Sequence, residues 1–255
     1  MTIFFSWFRQ LVQSLRTLPV IGILCLLFTW SLPAQAANRI DPQLEQQVLQ
    51  IIREHPEVII ESVQAYQQQQ QQKLNQVRQA FLQDLKTNPQ TVIGNSPTTG
   101  ATNSKILLVE FSDFQCPYCA EAHKTLKQLL AKYQGKIKLV YKHLPLAAIH
   151  PQALPAAAAA WAAHQQGKFW EYHDALFTNQ KQLSEALYLD IAKNLNLDLV
   201  KFQRDQTLAT PAIQKDIQLA EKLAVAGTPF FVISTPTISR VVQLSDIENI
   251  LSNTN

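Results

Sequence analysis

The chain has 255 residues, 47% apolar and 16% charged, with a formal charge of +3. This is the composition of a globular protein with extra apolar sequence, long enough for one or two domains with a sizeable core. The near-neutral balance gives no electrostatic argument for nucleic acid or a membrane surface, and none of the six glycines builds a phosphate-cradling loop. Arg9 and Arg16 precede an apolar run, Leu18 to Trp30, and then Ser31-Leu-Pro-Ala-Gln-Ala-Ala37 with an A-x-A site at Ala34-Gln35-Ala36. Residues 1–36 therefore read as a signal peptide. The run is short of the roughly 20 residues of a membrane span, and an uncleaved anchor that also uses Ile3–Trp7 is the other reading. The two arginines are not adjacent, as twin-arginine export would need, and the bulky Leu24 before Cys25 is a poor lipoprotein context. Cleavage after Ala36 removes Cys25 and both arginines, leaving a charge of +1 and just Cys116 and Cys119. An exported chain with one such pair fits catalysis in an oxidising compartment, the periplasm or its equivalent, rather than a disulfide framework.

Residues 38–87 form the next unit. Asp41-Pro42 predicts a helix start, with Leu44, Val48, Ile51 and Ile52 on one side and an end near His55, before Pro56. A second helix starts at Pro56 and carries Val58, Ile59, Val63, Tyr66, Leu74, Val77, Phe81, Leu82 and Leu85. Gln67–Gln72 interrupts this stripe; glutamine is tolerated in a helix, and low-complexity disorder is the alternative. A long stripe without a partner of its own must be covered by the catalytic domain or by another copy, so residues 41–87 are the candidate homo-oligomer segment. Residues 88–104, rich in Asn, Pro, Thr, Ser and Gly, read as a linker or surface loop.

Residues 105–255 carry the chemistry. Ile106–Phe111 predicts a buried strand, and Cys116 and Cys119 then open a helix whose apolar positions are Ala122, Leu126, Leu129 and Leu130. A thiol at a helix N-terminus ionises easily, so Cys116 is the candidate nucleophile and Cys119, one turn in, the resolving thiol. Pro117 is tolerated because its missing N–H has no helical partner. A structural disulfide over so short a loop would constrain little, and half a zinc site lacks a second cysteine pair. His123, four residues past Cys119, reads as surface or packing, and His55, His143, His150, His164 and His173 fall in no metal spacing, so no metal ligand is assigned. Ile137–Tyr141 is a second strand, giving a right-handed strand–helix–strand unit. A helical stretch covers about 151–226, with breaks near Gly167, Asn179, Asn196 and Thr210-Pro211, and with Trp161, Phe169, Trp170 and Tyr172 as core. Phe230–Ile233 is a strand with Val241–Leu244 as a short partner, and Ser245 caps a last helix through Leu251.

Phe111-Ser-Asp-Phe-Gln-Cys-Pro-Tyr-Cys119 resembles the active-site segment of DsbA-like thioredoxin-fold proteins. Gly227-Thr-Pro-Phe-Phe-Val-Ile233 resembles that family's cis-proline loop, and Gly167-Lys-Phe-Trp-Glu-Tyr-His-Asp-Ala-Leu-Phe177 a helix of its inserted helical subdomain. The three matches lie in order over roughly residues 92–252. Ile51-Ile-Arg-Glu-His-Pro-Glu-Val-Ile-Ile-Glu61 is similar to the N-terminal region of suppressor-of-copper-sensitivity protein C-type members, which drives oligomerisation in some relatives.

The resemblance implies an α/β thioredoxin fold with a helical insertion, preceded by an N-terminal helical segment, and a dithiol that is itself the redox group, without metal or organic cofactor. It places Pro229 in cis beside the cysteines, with the Thr228 backbone free to bond an extended substrate. Glu110 matches an acidic position in the first strand, either a buried acceptor for the Cys119 proton or a solvent-facing residue near the strand end. Tyr118 stands where the archetype has His, so this chain lacks one contributor to the thiolate. Phe111 and Phe114 shape an apolar substrate groove, with core packing an equal reading for Phe111. The implied function is an exported thiol–disulfide oxidoreductase that forms or isomerises disulfides in client proteins and is recharged by a membrane redox partner. Self-association favours an isomerase and a monomer an oxidase; a reductase also stays open. The reading from a different class is a metal-holding or copper-stress protein that uses the same cysteine pair without turnover.

Overall fold

In the computed structural model, which describes residues 41–253, Asp41 caps helix α1 (Pro42–Glu54) by accepting the Gln43 amide at 2.9 Å. The signal segment, with Cys25, lies outside the described residues. Helix α2 (Pro56–Thr87) runs through Gln67–Gln72, so the glutamine run is helical and not low-complexity coil. The chain divides into two units, residues 1–64 and 65–255. In the first, all the described residues are exposed, including Leu44, Val48, Ile51, Ile52, Val58, Ile59 and Val63.

In the second unit the segment 88–104 is not simply a linker. It holds helix α3 (Pro89–Ile93), whose Val92 and Ile93 enter the core, and strand β1 (Thr98–Gly100). The composition looked loop-like because α3 is one short turn started by proline, and because β1 ends on a glycine. Gly100 has φ +86°, and a Cβ there would lie 2.2 Å from the Ile137 carbonyl oxygen, so only glycine lets the backbone pass.

Among the described residues, five strands form one sheet in the order β1-β3-β2-β4-β5. Strand β2 (Ile106–Ser112) leads through helix α4 (Pro117–Lys132) to the parallel strand β3 (Ile137–His143). Between β3 and the next strand lie helices α5 (Ala153–His164), α6 (Phe169–Thr178), α7 (Glu185–Asn194), α8 (Leu199–Leu208) and α9 (Thr210–Lys222). Strands β4 (Phe230–Ser234) and β5 (Ser239–Val242) are antiparallel, and helix α10 (Leu244–Ser252) closes the order. The final helix starts before Ser245. Pairing of β5 stops at Val242, opposite Phe231, so Gln243 becomes the flanking residue and the Ser245 hydroxyl bonds Asp246 instead of capping.

All of β2 is buried, as a central strand covered on both faces requires. Ile106 and Leu108 pack with Ala122, Leu126 and Leu129 of α4 and with Ile247 and Leu251 of α10. Leu107, Val109 and Phe111 alternate to the other face, against Val232, Leu223 and the Phe81 and Leu85 side chains of α2. Phe111 is therefore core rather than groove. The insertion is tied to the sheet by polar anchors as well as packing. The Trp170 indole N–H donates to the Thr98 carbonyl at 2.7 Å, and a buried pair joins Lys142 to Asp216 at 3.2 Å, while Asp216 also accepts the His143 amide. Among the described residues no helix is long and apolar enough to cross a membrane.

Candidate active site

Strand β2 ends at Ser112, and the chain turns through Asp113–Gln115 to place Cys116 as the N-cap of α4 with Pro117 first in the helix. Asp113 shapes that turn. Its carbonyl accepts the Cys116 amide at 3.1 Å and its carboxylate accepts the amides of Gln115 (2.7 Å) and Leu146 (2.9 Å). The same carboxylate lies 2.8 Å from His150 Nδ1. Gln180 closes the other side, its side-chain amide donating to the carbonyls of Phe114 (2.8 Å) and Cys116 (2.9 Å). Residues from three parts of the chain thus hold one short loop.

Both thiols are free and buried, Cys119 completely. The Cys116 thiol donates to the Thr228 carbonyl at 3.3 Å, across the cis Thr228–Pro229 bond of the facing loop. The Thr228 carbonyl thus accepts from Cys116 while that thiol is protonated. Cys116 is held down to about 5. The Cys119 thiol beside it contributes most, burial opposes, and the Thr228 side chain and the Cys119 and Tyr118 amides add to the lowering. Cys119 goes the other way: burial, then its role as donor to Cys116, pushes it well above the ordinary thiol range. One thiol is set up as thiolate and its partner as thiol.

Glu110 does not face solvent. It lies on the β2 face beneath α4, where burial raises its carboxyl to about 7 against the lowering effect of Ser112. Its charge in turn raises Cys119. The register sets Glu110 opposite Tyr141 and Ser112 opposite His143, so four buried polar side chains share this face. Among the described residues, Glu110 Oε1, Ser112 Oγ, Tyr141 OH and both His143 nitrogens find no hydrogen-bond partner. Burial holds His143 down to about 3, neutral at pH 7.

Of the residues singled out from sequence, Cys116, Cys119, Thr228 and Pro229 come together, Glu110 lies below them, and Tyr118 projects outward with 74% exposure. Phe114 is buried, stacked on Tyr141 (5.4 Å) and near Phe177, so it does not line a groove. Asp113 and Gln180 went unread, and His150, read only as a histidine outside any metal spacing, turns out to reach Asp113. Asp113 carried a signal, since Asp two residues before a bonded amide is an Asx-turn pattern. Gln180 carried none, because its role depends on where α6 ends. The fold also gathers His123 of α4 with His173 and Asp174 of α6, all three donor atoms within 4.8 Å of one another, which no spacing along the chain shows.

A family model described as thioredoxin matches residues 92–253. The chain belongs to the thioredoxin family. Among solved structures, a thioredoxin-like oxidoreductase from Silicibacter pomeroyi DSS-3 is 31% identical, with a TM-score of 0.56 over 66% of this chain and 97% of that one. The catalytic domain of Proteus mirabilis ScsC is 25% identical, with a TM-score of 0.55 over 68% of this chain and 97% of that one. These neighbours within the thioredoxin family support a thiol–disulfide oxidoreductase in general terms. The Na(+)/H(+) antiporter NhaA 3 of Salinispora tropica is 39% identical over 137 residues, 53% of this chain but 21% of that protein. The chain thus spans about a fifth of the length of the curated relatives it matches.

Proposed function

We propose that this protein is an exported thiol–disulfide oxidoreductase that forms or isomerises disulfides in other proteins through Cys116-Pro117-Tyr118-Cys119. The observation that carries the reading is the placement of the pair, Cys116 at the start of α4 against the Thr228–Pro229 loop with Cys119 fully buried behind it, which lowers the first thiol and raises the second. A thiolate that stable makes the reduced pair the favoured form and its disulfide an oxidant.

In the oxidising direction a client thiolate attacks Cys116 Sγ. The Cys116–Cys119 bond breaks, and Cys119 leaves with the electron pair and takes a proton, for which buried Glu110 is the nearby acid. A second client thiolate then attacks the client sulfur of the mixed disulfide and expels the Cys116 thiolate. Two electrons pass from client to pair. The client strand lies against the cis-proline loop, within reach of the Thr228 carbonyl, to which the oxidised pair has no thiol hydrogen to donate. In the isomerising direction the Cys116 thiolate attacks a client disulfide, and a second client thiolate or Cys119 resolves the intermediate.

The uncovered apolar side chains of residues 41–63 support self-association through this segment, and a membrane redox partner recharges the pair. The test mixes oxidised protein with a reduced two-cysteine peptide and follows both masses. The peptide should lose two hydrogens as Cys116 and Cys119 gain them; no transfer, with the pair intact, refutes the proposal.

A further inference from the structure

We infer that His123, His173 and Asp174 form a binding site for a divalent transition-metal ion, separate from the cysteine pair. His123 projects from α4 one turn beyond Cys119, and His173 and Asp174 are neighbours on α6. Asp174 Oδ1 lies 3.3 Å from His173 Nδ1 and 3.7 Å from His123 Nε2, and all three donors fall within 4.8 Å of one another. The first distance is long for a hydrogen bond and the second is outside the range. They do match a coordination shell: ligands about 2.1 Å from a tetrahedral ion stand about 3.4 Å apart. Asp174 Oδ1 thus faces both imidazoles, and only its contact with His173 is within hydrogen-bond reach.

The arrangement is built rather than incidental. Phe177 stacks on His123 at 5.1 Å and meets His173 edge-on at 4.9 Å, and Trp170 meets His173 at 5.0 Å, so both rings are locked by packing. Lys127 Nζ holds Asp174 Oδ2 at 2.8 Å, which leaves Oδ1 turned to the two imidazoles. Side-chain exposure rises from 4% at His173 to 14% at His123 and 38% at Asp174, so the site opens on one side to solvent and can keep water in its remaining positions. Two imidazoles and one carboxylate suit Zn(II), Ni(II) or Cu(II) rather than Ca(II) or Mg(II). Because the ligands come from two helices, a bound ion would tie the helix that carries Cys119 to the inserted helical layer.

The test uses the untagged full chain with Cys25→Ser, Cys116→Ser and Cys119→Ser, so that no thiolate competes, and Zn(II) as the probe. Calorimetry and thermal unfolding should show one equivalent bound and a higher Tm. His123→Gln and Asp174→Asn should each weaken binding about tenfold or more, with the metal-free Tm as the control for folding. Lys127→Met should tighten binding several-fold, because it removes a cation beside the site and frees Asp174. Absence of binding in the serine protein, or binding that ignores His123→Gln and Asp174→Asn, would overturn the site and leave a plain His–Asp–Lys cluster.

Discussion

Helices α1 and α4 begin alike, each with a flanking residue followed by proline at the first helical position. At α1 the residue is Asp41, whose carboxylate accepts the Gln43 amide in open solvent. At α4 it is Cys116, whose side chain makes no cap bond; its carbonyl accepts the Cys119 amide at 3.1 Å, and the amides of Tyr118 and Cys119 act on the sulfur by lowering its pKa. The sequence pattern is shared, yet one flanking side chain caps its helix and the other is left as a nucleophile. The difference lies in the acceptor and in what the helix covers. The α1 side chains are exposed throughout, whereas α4 buries Cys119, Ala122, Leu126 and Leu129 against the sheet. A local rule starts both helices; burial makes the chemistry.

The largest break of this comparison is at the caps themselves. Cys116→Ser should abolish exchange with a dithiol peptide, whereas Asp41→Ser should leave it unchanged. With a disulfide-bonded client peptide, Cys119→Ser should instead accumulate the client–Cys116 mixed disulfide, visible on a non-reducing gel, as the Cys116 thiolate opens the client disulfide. Next comes the buried acid. Glu110 has its carboxyl raised from 4.5 to about 7, so the stability it contributes is fully present below pH 4.5 and lost as the pH rises through 7. Glu110→Gln removes that dependence. The stability of the variant relative to the parent should therefore rise by about 3 kcal/mol between pH 4 and pH 8 in urea unfolding, with slower release of mixed disulfide.

Smaller effects are expected where nothing is buried. Replacing Leu44, Val48, Ile51 and Ile52 by glutamine should reduce the mass in solution to that of a single chain, with the exchange rate per pair unchanged and thermal stability of the redox domain shifted by no more than about 0.5 kcal/mol. The smallest change is Tyr118→His. An exposed imidazolium beside Cys116 should lower the pH midpoint of its alkylation by about half a unit, because solvent screens the added charge.

Much of this site was legible because its signals are local. The apolar run Ile106–Val109, the Cys116-Pro117 helix start and the Thr228-Pro229 loop each announce their conformation within a few residues. The burial of Glu110 follows from strand alternation, once Ile106 and Leu108 are assigned to the α4 face. What escaped was set by distance along the chain. Gln180 holds the active-site loop from the end of α6, and His150 reaches Asp113 from beyond β3. His123 meets His173 only because α4 and α6 pack together. Within 88–104, loop-like composition hid the edge strand β1, whose pairing with β3 depends on residues far downstream.

The central claim is that the Cys116 thiolate is stabilised enough to make the disulfide an oxidant. Equilibration of the protein with glutathione buffers tests it most directly. The account predicts a Cys116–Cys119 reduction potential between about −120 and −180 mV, and a value near about −270 mV, as for a reductase, would contradict it.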